Sequence, residues 1–293
     1  MKPVLFKIGF FELRIYSLMY ILAFFAAIFI MSKDEVAKKR GIKDRKEIED
    51  FAFFSMIAGL IGARLYYVIL KFNEYMADPI SIFKVWEGGL AIHGGIIGGL
   101  VGSYIFAKRH KKNLWVLTDM VVGPLIFGQF LGRFGNLANG EVHGVPTFTP
   151  LNIIFSGKFK EWWALYQNMS LEAQGKFKEL VPWGIVFPSD SPAGMEFPNY
   201  PLHPAMLYEG FLNLIGFILI WFYFRKKNYN PGVLSMIYLI MYGVIRSFVS
   251  TFRAEDLLVF GIRAPYIISV VMIILAFLGI KYFNRKNYSD KTQ

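Results

Sequence analysis

Apolar residues along this chain gather in long runs separated by short basic segments. Seven runs, near 15–32, 51–71, 89–107, 114–131, 205–224, 231–252 and 264–282, reach or approach the ~20 helical residues that a hydrocarbon core takes. The third and fourth are the least apolar. The pattern predicts an all-α polytopic membrane protein, with about seven transmembrane helices in one bundle and a single integral membrane domain over 1–293. The only connection large enough for a subdomain is 145–204, between spans 4 and 5, which reads as an external (periplasmic-side), head-like insertion. Its Trp162, Trp163 and Trp183, set among lysines and prolines, suit a surface lying on lipid headgroups. They suit equally the aromatic core of an ordinary loop. The first run follows Lys2, Lys7 and Arg14, as in a signal peptide. A charged loop comes directly after it with no small-residue cleavage site, so it reads as a retained span.

Composition supports this class, since the 293 residues are 55% hydrophobic and 18% aromatic, with a mean hydropathy of +0.42. The net charge of +11 sits in short clusters between the runs, so it points to anionic lipid and not to nucleic acid. Segments 33–50, 108–113, 225–230 and 281–293 hold eighteen Lys and Arg, against eleven in the longer alternate set. The positive-inside rule then places the C-terminus in the cytoplasm and the N-terminus outside. There are no cysteines, so any thiol chemistry must come from a substrate.

Charges inside spans are costly and usually face a partner or a cavity. Here they are Arg64, Asp119, Glu209 and Arg246. On the predicted topology Arg64, Glu209 and Arg246 reach the outer half of the membrane, where Tyr16 opens the first span and His93 the third. The stretch "GRFGNLANGEVHG", Gly132 to Gly144, follows the outer end of the fourth. Only Asp119 lies inward. Scattered structural salt bridges would not share one depth, so the polar groups read as one outer-leaflet cavity. Gly94, Gly98 and Gly102, spaced by four, suit close helix packing, which accounts for them completely. Two arginines at this depth suit a phospholipid phosphate, which guanidinium grips with paired donors. No P-loop, zinc spacing or Ser-His-Asp set is present, and neither a cofactor nor a metal is expected.

"GRFGNLANGEVHG" resembles the signature of the bacterial prolipoprotein diacylglyceryl transferase family, departing at one fixed position, Leu137 for Phe. The likeness extends through "IYSLMY" at Tyr16, "GARLYYV" at Arg64, "WEGGLAIHGG" at His93, "HPAMLYEG" at Glu209 and "YGVIRSFVSTFR" from Tyr242 to Arg253. The resemblance implies transfer of the diacylglyceryl group of phosphatidylglycerol to the lipobox cysteine thiol of a preprolipoprotein, the first step of lipoprotein maturation. A thioether forms and glycerol phosphate leaves, at a bacterial cytoplasmic (inner) membrane. It also implies that His93, Arg133, Arg246 and Glu141 are catalytic. The arginines hold phosphate, and either His93 or Glu141 is the base. Tyr16, Arg64, Asn136, Asn139, Gly144, Glu209 and Tyr242 are expected to bind or orient substrate, with Gly144 giving the loop its turn. His143 reads as simple loop hydrogen bonding. The family usually carries a glutamate four residues after the sixth-span arginine, where this chain has Ser250. Either Glu255 or Asp256 replaces that charge, or the arginine is less restrained. The competing class is a lipid transporter or flippase, but such proteins usually show inverted repeats and polar groups along a whole path, and this sequence shows neither.

Overall fold

The computed structural model describes residues 4–8, 11–85, 88–227, 229–255 and 257–289. Seven long helices dominate: α1 (Ile15–Ser32), α2 (Arg45–Leu70), α3 (Ile92–Arg109), α4 (Leu114–Asn139), α5 (Ala205–Ile218), α6 (Val233–Phe252) and α7 (Ala264–Ser289). A π-helical turn, Leu219–Phe224, prolongs α5. Short helices, among them Glu35–Lys39, Phe72–Ala77, Phe159–Gln167 and Pro192–Glu196, lie between the long ones, with two short antiparallel hairpins, β1 (Val4–Ile8) with β2 (Phe11–Arg14) and β3 (Leu258–Val259) with β4 (Ile262–Arg263). Of the seven long helices all but α3 are long and apolar enough to cross a membrane, α5 together with its π-helical turn. Glycines and the terminal Lys108 and Arg109 dilute the apolarity of α3. The chain is therefore a multi-pass, all-α membrane protein. Phe25, Ile69, Leu100 and Phe277 all point outward and exposed, as lipid-facing side chains should.

Two boundaries differ from the hydropathy pattern for local reasons. Helix α2 begins six residues before its apolar run because the Asp44 carboxylate accepts from Lys46 N at 3.1 Å. Helix α4 continues to Asn139, through Gly132 and Gly135 and with Pro124 inside it. Arg133 and Asn136 are thus helical residues and not part of a loop. A lone glycine costs a helix only ~1 kcal/mol, which tertiary packing can outweigh.

The chain forms two compact units, Met1–Ala27 with Val122–Gln293, and Ile28–Val121. In the second, α2 and α3 pack backbone to backbone. A Cβ on Gly94 would meet the Gly62 carbonyl and Tyr66, one on Gly98 the Ala58 carbonyl, and one on Gly102 the Ala58 side chain. Close approach without side chains is how helices gain contact in lipid. Ser55 Oγ and Ser103 Oγ add a polar tie at 3.3 Å. In the first unit, residues between α4 and α5 carry their own aromatic core, in which Trp162 stacks on Tyr166, Phe148 leans on Tyr166, and Phe159 leans on Phe197. Trp162 is buried and Trp163 packs against that core. Of the three tryptophans only Trp183 is exposed, and its Nε1 donates to Tyr208 Oη at 2.9 Å. The loop-core reading therefore holds for Trp162 and Trp163.

The α2–α3 contact makes a direct prediction. Gly98→Val should lower the melting temperature in detergent, with a cost of at least ~1–3 kcal/mol from overpacking. Gly99→Ala should be nearly neutral, because the nearest atom to its added Cβ is Ser55 O at 4.0 Å. Equal losses at both positions would disprove the packing argument.

Candidate active site

One connected polar network runs through the first unit. Glu209, fully buried on α5, accepts from Arg133 Nη2 of α4 at 2.5 Å and pairs with Arg246 Nη1 of α6 at 3.7 Å. Arg133 Nη1 also donates to Asn136 Oδ1 at 3.1 Å, one turn along α4. The Asn136 amide reaches Glu141 Oε2 at 3.5 Å, and Asn139 Nδ2 donates to Glu141 Oε1 at 3.2 Å. Two guanidiniums therefore share one carboxylate, and the triad keeps a net charge of +1. Arg133 Nε has no hydrogen-bond partner among the described residues. A half-buried cation with a donor to spare suits an anionic ligand. Helix packing explains the geometry: Gly210, next to Glu209, leaves room for the Arg133 side chain, whose Cβ would be 3.2 Å from a Cβ placed there.

Tyr16 packs against α4 where Gly135 has no side chain, and Tyr20 Oη donates to Tyr16 Oη at 3.1 Å. Tyr242 stacks on Tyr238, which accepts from Gln129 Nε2 at 2.9 Å. The turn after α4 is made by Gly140 (φ +67°) and Val142 (φ +61°). Gly144 does not make it, contrary to expectation. It lies in an antiparallel bridge to Arg253, with its N–H donating to His203 O at 2.8 Å, and a Cβ there would come within 2.7 Å of both His203 and Phe252. Close backbone approach, not φ, requires this glycine.

The second unit holds Arg64 and His93. Arg64 is buried on α2, and all five of its donors go to backbone carbonyls: Nε to Ile82 at 2.9 Å, Nη1 to Gly88 (2.6 Å) and Gly89 (3.0 Å), Nη2 to Ser81 (2.5 Å) and Lys84 (3.3 Å). The Tyr75 ring covers the guanidinium, with its centroid 5.0 Å away. No donor remains for a phosphate, so Arg64 shapes the loop that leads into α3 and does not grip an anion. His93 is the second residue of α3, exposed, with the Tyr66 ring 6.1 Å away.

Comparison with known proteins decides the family. The family described as prolipoprotein diacylglyceryl transferase matches residues 3–282. The chain belongs to the prolipoprotein diacylglyceryl transferase family. It is 50% identical to the phosphatidylglycerol–prolipoprotein diacylglyceryl transferase of Fusobacterium nucleatum over 98% of this chain and 99% of that protein. It is 30% identical to the protein of that name from Gloeobacter violaceus, over 97% of this chain and 94% of that one. The one from Thermotoga maritima is 31% identical, over 94% and 82%. Membership in a transferase family leaves the transporter reading without support.

Arg246 has a counter-charge on α5 although the family's sixth-span glutamate is absent here. Glu209 supplies the counter-charge to Arg246 from a facing helix, while Ser250 is fully buried and its carbonyl accepts from Arg263 Nη1. Glu255 faces His143 and Glu196 instead, and Asp256 lies outside the described residues. Sequence reasoning missed Arg263, which reads as a loop charge but whose Nη1 also binds the Arg253 carbonyl at 2.8 Å. It also missed His203, which is buried beside the Gly144 bridge with Nδ1 3.0 Å from Tyr208 Oη. The "HPAMLYEG" motif contained it, yet nothing in that spacing marked it as buried.

Two predictions follow from this packing. Because Ser250 is fully buried, Ser250→Glu should overpack its site at a cost of ~1–3 kcal/mol. The melting temperature should fall, and an unchanged or higher value would contradict the close packing around Ser250. Burial pushes the His203 imidazole down to about 4. Between that value and the ~6.5 of the unfolded chain, the unfolded state holds a proton that the folded state lacks. Stability is therefore complete above pH ~6.5 and falls as the pH drops toward 4, by up to roughly 3 kcal/mol. Unfolding in detergent across this range should show a shallower pH dependence for His203→Gln than for the parent chain.

Proposed function

We propose that this chain transfers the diacylglyceryl group of phosphatidylglycerol to the thiol of a preprolipoprotein lipobox cysteine. The thiolate attacks the glycerol carbon that bears the phosphate ester. A C–S bond forms, that C–O bond breaks, and glycerol phosphate leaves with the electron pair. A base takes the thiol proton, since a free thiol of pKa ~8.5 is mostly protonated at neutral pH. The observation that carries the reading is the Arg133–Glu209–Arg246 triad, tied through Asn136 to Glu141 in the family's signature stretch.

In this reading the arginines hold the donor phosphate and neutralise the charge growing on the leaving group, the electrostatic role that usually contributes most to such a step. Glu209 fixes both guanidiniums, so little reorganisation is needed as that charge develops. Glu141, gripped by two amides, orients the network, and Tyr16 and Tyr242 line its margins. His93 serves as the base. The enzyme lies in the bacterial inner membrane, with its N-terminus outside, its C-terminus in the cytoplasm and the site toward the outer leaflet. Residues 145–204 form the external insertion.

Purified protein in detergent, given phosphatidylglycerol and a lipobox peptide, should yield the thioether-linked peptide by mass spectrometry. Absence of that product would reject the proposal. His93→Gln should lower turnover by ~10²–10⁴-fold while donor binding survives. Near-normal turnover in His93→Gln, with a loss in Glu141→Gln, would move the base to Glu141.

A further inference from the structure

Outside this network, three side chains from three separate stretches of the first unit converge. His143 ends one residue before Gly144, Glu196 closes the short helix Pro192–Glu196, and Glu255 follows α6. His143 Nε2 lies 3.2 Å from Glu196 Oε2, and one ligand atom from each of the three residues falls within 4.8 Å of the others. His143 is only 3% exposed, so its ring cannot turn out to solvent. Its other nitrogen, Nδ1, sits 3.2 Å from the Gly144 carbonyl. A carbonyl can only accept, so Nδ1 carries a hydrogen, and Nε2 is the nitrogen turned toward the Glu196 carboxylate. A second carboxylate, that of Glu255, reaches the same gap. Three ligand atoms held this close can be bridged by one cation.

We propose that His143, Glu196 and Glu255 bind a divalent cation of the zinc class. One imidazole and two carboxylates form a three-ligand set that leaves a fourth position for water. Bonds of ~2.0–2.2 Å in tetrahedral geometry put ligand atoms roughly 3.3 Å apart. His143 and Glu196 already stand at that spacing, and the exposed Glu255 side chain is free to close the remainder. The rival occupant is a single proton, which would make His143 an imidazolium paired with Glu196.

A bound cation would join the stretch that carries Glu141 to the segment just after Arg253, whose backbone bridges Gly144. It would brace the frame of the polar network without touching the lipid. The site uses no step of the transfer reaction, so it stands or falls independently of that reading.

The test uses the full chain in detergent, stripped with a chelator and titrated with zinc chloride, then separately with cobalt chloride. We expect one saturable zinc equivalent, a rise in melting temperature on addition, and visible cobalt bands of a four-coordinate nitrogen–oxygen site. His143→Gln should weaken zinc binding at least ~10-fold and abolish the rise, because it removes the only nitrogen ligand. Glu255→Gln, at an exposed position that tolerates change, should do the same and keeps the test decisive if His143→Gln misfolds. Zinc uptake unaffected by both substitutions would overturn the site. So would a melting temperature that follows pH and ignores zinc, which would assign the gap to a proton.

Discussion

The buried carboxylate of Glu209 is the constraint on which the rest of the polar structure depends. A lone carboxylate deep in a membrane helix is expensive, and so are two guanidiniums facing each other. Placed between Arg133 and Arg246, Glu209 resolves both costs and leaves one positive charge over. Three helices are tied together by that arrangement, because α4, α5 and α6 each contribute one member. The geometry of the triad is then passed outward through Asn136 to Glu141, where the backbone leaves the helix.

The frame around the triad is held mainly by backbone. Gly144 admits His203 and Phe252 at van der Waals limits, and Arg263 ties the last carbonyls of α6 to the start of α7. In the second unit Arg64 does similar work, organising the loop before α3 through five carbonyls. Arginine suits this use because its donors form a rigid fork and its charge survives burial. Two arginines in comparable motifs thus have opposite tasks. Among the described residues Arg133 keeps a donor unused, whereas Arg64 has none.

The same division separates what was legible in the sequence from what was not. Six of the long helices and their approximate extent follow from hydrophobic run length, because a span must satisfy its backbone internally and cover ~30 Å of hydrocarbon. The small-residue face of α3 was legible for a related reason, since spacing by four puts Gly94, Gly98 and Gly102 on one side of a helix. The extension of α4 to Asn139 was not, because its glycines look like an exit and only neighbouring helices make them tolerable.

Composition, spacing and motif order by themselves determined the membrane class, the family and the residues that form the polar network. Those properties depend on residue type and on distances along one chain. Only the tertiary structure decided how the charges pair: that Glu209 stands between Arg133 and Arg246, that Arg64 is consumed by a loop, and that His143 meets two carboxylates from distant stretches. Charge pairing depends on which helix faces which, and that register is fixed by packing between elements far apart in sequence.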